Sequence, residues 1–161
     1  MTVENLSWTW LAGIAVLGLV LVLVLFLARK PRYRRSTIMT ENEREFYGRL
    51  LAACPDCQIW PQVPILALVR PDAKEGSRAF WMAFKQISNT RVDWVILQDM
   101  EVLAIVELDD RSHDARDRSH DARKDAQRDR ILKSCGYRVV RFNSGRRPDP
   151  RQIHEAIFSA D

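Results

Sequence analysis

Between Glu4 and Arg29 the chain carries no ionisable side chain, and residues 8–28 are almost wholly apolar. As a helix rising 1.5 Å per residue, a run of about 20 apolar residues spans a hydrocarbon core of ~30 Å. Trp8 and Trp10 stand at one end and Tyr33 just beyond the other, where amphipathic rings favour the headgroup layer. A cleaved signal peptide fits poorly: the segment before the run holds Glu4 and no Lys or Arg, and no small-x-small cleavage site follows. The sequence therefore predicts one transmembrane helix within residues 1–28.

Arg29, Lys30, Arg32, Arg34 and Arg35 all follow that run, and nothing basic precedes it. Positive charge resists translocation, which predicts an N-terminus outside, a cytoplasmic C-terminal part and a place in the plasma (inner) membrane. Residues 29–39 read as a basic juxtamembrane linker whose charge also favours anionic lipid. The lipid bilayer is thus the first expected partner. The whole chain holds 25 Lys and Arg against 21 Asp and Glu; setting aside Glu4 and the five basic residues of the linker leaves 20 of each. A neutral remainder lacks the broad basic footprint of a strong general nucleic-acid binder, so any such contact must come from a local cluster.

Residues 40–161 suit one domain with one core. Three cysteines in a cytoplasmic domain do not make a disulfide framework. Cys54-Pro55-Asp56-Cys57 has no second CxxC to complete a zinc site, and it follows a predicted helix rather than opening one, so a helix N-terminus is not there to stabilise a thiolate.

The element order is read from periodicity and breakers. Thr40-Glu41-Asn42-Glu43 forms a capping box, and Phe46, Tyr47, Leu50 and Leu51 recur at helical spacing up to Cys54-Pro55. Residues 59–69, interrupted by Pro61 and Pro64, predict an edge strand or extended segment, and 71–76 a loop. Residues 91–97 and 102–108 predict two apolar strands joined by a connection of hairpin length. A helix over about 116–135 ends at Gly136, a strand covers 137–142, and a helix over 150–159 closes the chain. The predicted fold class is α/β: a transmembrane helix, then a small mixed-sheet domain in the order α-β-β-β-α-β-α, with Ile105 and Val139 in its central strands.

Arg111-Ser-His-Asp-Ala-Arg-Asp117 is repeated as Arg118-Ser-His-Asp-Ala-Arg-Lys124. Seven residues make nearly two helical turns, so the repeat lays down two charged stripes, one of them Asp117, Asp121, Asp125 and Asp129. Most of these residues read as a solvated helix face with i,i+4 charge pairs.

Asp93 opens one hairpin strand and Glu107 closes the next, so both fall at one end of the ladder. In an even register they are directly opposed, with Cβ atoms ~5 Å apart. Two carboxylates that close repel unless one is protonated or a cation lies between them. Mg²⁺ is the natural cation, since it takes hard oxygen ligands and retains waters.

The blocks Val92-Asp93-Trp94-Val95, Val106-Glu107-Leu108-Asp109-Asp110-Arg111-Ser112-His113, and Arg128-Asp129-Arg130 running on to Gly136-Tyr137-Arg138-Val139-Val140-Arg141 resemble the bacterial domain-of-unknown-function family 2726. That family resembles restriction-endonuclease-like domains of the PD-(D/E)XK superfamily, and the last block is similar to very-short-patch-repair endonucleases. The resemblance covers about residues 40–142. It implies a metal-dependent nuclease fold acting on nucleic-acid phosphodiesters, with Asp93 and Glu107 as the metal carboxylates. His113 would be the proton-transfer or leaving-group residue, Asp129 a support from the helix, and Arg141 a residue facing the phosphate or the acidic cluster. The superfamily's usual lysine, two residues after the glutamate, is here Asp109, and the duplicated heptad supplies His120 as a second copy of His113. A fold retained for binding nucleic acid or protein without catalysis is the alternative expectation, and a membrane scaffold recruiting a protein through the charged helix is a third.

Overall fold

The computed structural model describes residues 4–28, 30–109 and 118–159. The chain divides into two compact units, residues 1–36 and 37–161. The first holds α1 (Glu4–Leu27), and within it Trp10–Leu27 is long and apolar enough to cross a membrane. None of that stretch is buried against protein.

The second unit is a four-stranded mixed sheet with helices on both faces. In chain order it comprises α2 (Glu41–Ala53), β1 (Gln58–Pro64), α3 (Arg78–Ile87), β2 (Arg91–Gln98), β3 (Glu101–Asp109), α4 (Arg118–Ser134), β4 (Val139–Asn143) and α5 (Pro150–Phe158). The strands lie in the order β1-β2-β3-β4; β1, β2 and β3 are antiparallel neighbours, and β4 runs parallel to β3. Phe46 and Leu50 of α2 and Ile153 and Ile157 of α5 cover one face with Trp94, Ile96, Ala104 and Val106. Leu132 of α4 packs on the other with Val95, Leu97 and Ile105.

Several local devices fulfil the sequence reading. The Thr40 hydroxyl accepts the Glu43 N–H while the Glu43 carboxylate accepts the Thr40 N–H, the reciprocal capping box. Asp99 and Met100 both adopt positive φ (50° and 67°), as a two-residue hairpin turn of the primed kind requires. Gly136, at φ 86°, ends α4, with its N–H and that of Tyr137 closing back on Lys133 and Leu132. β1 lies at the sheet edge, where its two prolines remove no inner ladder bond.

Three expectations need correction. The extended segment 59–69 is a strand only to Pro64; Ile65–Ala67 turn as a 3-10 helix that plugs Ile65 and Val69 into the core beneath the sheet. A helix absent from the predicted order, α3, stands between β1 and β2, capped by the Ser77 hydroxyl accepting the Phe80 N–H. Val139 lies on the edge strand β4 and is only half-buried, whereas Ile105, on β3, is fully buried.

Candidate functional site

The strand pair β2–β3 sets the geometry. From the Asp99-Met100 turn the ladder begins Gln98↔Glu101 and Leu97↔Val102, then continues Ile96↔Ala104, Val95↔Ile105 and Trp94↔Val106. Leu103 is the extra residue, a β-bulge that advances the register by one. The next step sets Asp93 across from Glu107. Without the bulge Asp93 would oppose Val106, and Glu107 would turn to the opposite face.

The parallel pairing of β3 with β4 then matches Glu107 with Arg141 and Asp109 with Asn143. Acids and guanidinium thereby collect at the carboxyl ends of the two parallel strands. This is the end of an α/β sheet at which ligands are bound. From α4, Asp129 accepts both Nε and Nη2 of Arg141, at 2.9 and 2.8 Å, a two-point pair. Arg141 Nη1 donates to Asp109 Oδ1 at 2.6 Å. Arg128, one residue earlier on α4, lies 3.0 Å from Asp125 and 3.5 Å from Glu107. The Asp125–Arg128 pair is i,i+3, and Arg128 and Asp129 face inward rather than forming part of a solvated stripe.

Glu107 is the one buried charged residue among those described, 4% exposed. Its Oε1 has no hydrogen-bond partner, and neither does the buried Nε of Arg128. Burial pushes the Glu107 carboxyl up to about 8, against the pull of Arg128 and with the further push of Asp93. Asp93 accepts the Leu108 N–H at 2.8 Å. Burial nonetheless raises its carboxyl above the ordinary range, against that bond and a hydrogen bond with Glu107. Both carboxyls are thus held toward their protonated forms. Arg141 is raised further still by its hydrogen bonds to Asp129, so its charge is permanent.

Of the predicted site residues, the structure brings together Asp93, Glu107, Asp109, Asp129 and Arg141. His113 lies outside the described residues, as does the side chain of His120. Among the described residues no three His, Cys, Asp or Glu side chains gather closely enough to hold a metal ion. Asp93 and Glu107 supply two carboxylates, the number Mg²⁺ commonly takes from protein while keeping waters. The partnerless Glu107 Oε1 is an atom such an ion would satisfy.

Sequence reasoning missed the surroundings. A cleft of about 720 Å³ adjoins Asp109 and Arg141 and is walled by Asn143, Arg146 and Gln152. The signal was present in Asn143-Ser144-Gly145-Arg146-Arg147: the Asn143 carboxamide oxygen caps the Gly145 N–H, and the turn ends with Arg147 at positive φ. Cys54 closes α2 and is buried, and burial pushes its thiol up to about 11, which leaves it a packing residue.

No curated protein and no solved structure matches the chain. A family model does: residues 35–160, almost the whole second unit, match the family described as protein of unknown function (DUF2726), and the chain belongs to that family.

Proposed function

We propose that this protein is a membrane-anchored, restriction-endonuclease-like domain whose Asp93–Glu107 pair holds a divalent cation for the hydrolysis of nucleic-acid phosphodiesters. The observation that carries the reading is Glu107: a carboxyl 4% exposed, beside a second acid, with one oxygen lacking any partner. Such an arrangement costs stability and persists where function uses it. The likeness of the Asp93, Glu107–His113 and Arg128–Arg141 blocks to PD-(D/E)XK domains supports the nuclease class. Mg²⁺, when bound, supplies an activated water and neutralises charge on the phosphate.

The chain's own residues divide the remaining work. Asp93 and Glu107 hold the cation. Asp129 and Asp109 clamp Arg141, so its guanidinium contributes a fixed positive charge near the place where the superfamily has lysine. His113 is the proton-transfer residue. Arg146, on the cleft wall, meets a neighbouring phosphate. α1 anchors the domain with its basic flank, residues 29–35, on the cytoplasmic side of the plasma membrane.

Calorimetric titration of the full chain in detergent with Mg²⁺ or Mn²⁺ tests the cation site. Wild type binds and gains thermal stability, ~2.7 kcal/mol at a hundred times the dissociation constant, while Glu107→Ala does neither. Absence of binding by wild type refutes the reading. A second reading, a nuclease fold kept for binding alone, is favoured by Asp109: it replaces the lysine and is committed to Arg141. It predicts nucleic-acid binding without cleavage.

A further inference from the structure

The helix α3 is amphipathic yet poorly covered: of its ten residues only Ile87 is buried. Phe80, Phe84 and Ile87, spaced i, i+4 and i+7, form its inner side. On the outer side Arg78, Trp81, Met82 and Lys85 are linked by steps of i+3 and i+4, so they make one continuous patch. Trp81 is 50% exposed and Met82 56%. The indole is braced edge-on against Phe80 and Phe84, with ring centroids 5.3 and 5.7 Å away, so it is held outward rather than left loose. α3 carries no acidic residue, and among the described residues neither Arg78 nor Lys85 makes an ion pair.

We propose that this patch binds an anionic lipid surface, with Trp81 and Met82 entering the headgroup–acyl boundary and Arg78 and Lys85 meeting lipid phosphates. An exposed Trp and Met flanked by Arg78 and Lys85, on a helix without an acidic residue, suit the boundary between lipid headgroups and acyl chains. Aromatic rings prefer that layer, and basic side chains reach from it to phosphate. The choice of lipid as occupant rests on the proposed anchoring of α1. Thirteen residues, 28–40, separate α1 from α2, a reach of at most ~45 Å when fully extended, so headgroups are present at high effective concentration. Docking of α3 would make the domain's activity depend on headgroup charge.

The test uses the full chain reconstituted in vesicles of phosphatidylcholine alone or mixed with phosphatidylglycerol, read by amide hydrogen exchange. α3 amides exchange about tenfold more slowly in the anionic vesicles, while β2 and β3 amides do not change. The Arg78→Gln/Lys85→Gln and Trp81→Ser/Met82→Ser variants, altered only on the outer face, lose this protection and keep that of the strands. Equal exchange of α3 in both vesicles overturns the inference. So does protection in uncharged vesicles that grows with protein density, which assigns the face to a second copy. Flotation after carbonate washing reads the anchor separately. A chain that floats but leaves α3 unprotected refutes the docking and spares the anchor. A chain that fails to float, yet shows α3 protected on added anionic vesicles, refutes the anchor and supports the docking.

Discussion

Glu107 and Arg141 are ladder partners on β3 and β4, yet the guanidinium is committed to Asp129 and Asp109, and Glu107 Oε1 is left without a hydrogen bond. An arginine beside a buried carboxyl would ordinarily neutralise it. Here Asp129 on α4 takes the arginine by two bonds, and burial holds the proton on Glu107 up to about pH 8 against the pull of Arg128.

That proton makes stability depend on pH. Glu107 ionises near 4.5 in the unfolded chain and near 8 in the folded one. Between those values the folded state binds the extra proton, so stability is fully present below the lower value and falls as pH rises toward the upper. Asp93, also raised, adds to the fall at its lower end. Thermal melting of the metal-free chain in detergent is expected to show roughly 2–4 kcal/mol lost between about pH 5 and pH 8, most of it absent in Glu107→Gln. A wild type equally stable at both pH values would contradict the assignment.

Arg141 is expected to resist conservative exchange. Arg141→Ala strands the half-buried Asp129 and Asp109 and costs about 1.5–3 kcal/mol; Arg141→Lys recovers less than half, because an ammonium cannot reproduce the two-point pair with Asp129. Chemical unfolding of the two variants checks this. Full rescue by lysine would mean that charge alone matters there.

How much of this was legible in the sequence depended on whether the signal was local. The Thr40–Glu43 cap, the hairpin turn and Gly136 are written in adjacent residues, and so was the run that forms α1. The union of Asp93 with Glu107 was legible only conditionally. A tight turn at Asp99-Met100 gives the odd register, and the bulge at Leu103 that restores the even one answers to packing on both faces, which leaves no mark in a single strand's pattern. α3 too is locally written, by the Ser77 cap and by Phe80, Phe84 and Ile87 at helical spacing, although the predicted order lacked it. Arg128 falls in a stripe that reads as solvated charge because its facing partner, Glu107, comes from the sheet.

Core truncation separates inner from edge strands. Ile105→Ala is expected to cost about 2–4 kcal/mol, since Ile105 is wholly enclosed between β2, β4 and Leu132. Val139→Ala, on the half-buried edge strand, is expected to cost about 1 kcal/mol. Equal losses in urea unfolding would argue against the edge position of β4.

The most direct measurement is cleavage of labelled DNA and RNA by the full chain with Mg²⁺ or Mn²⁺. The account predicts weak, metal-dependent cleavage, abolished by Glu107→Ala. His113→Ala should lower it about 10²–10⁴-fold, the usual worth of a positioned acid–base group, and far more than His120→Ala does. Cleavage that survives the Asp93→Ala/Glu107→Ala double variant, or binding of nucleic acid with no cleavage under either metal, would contradict it.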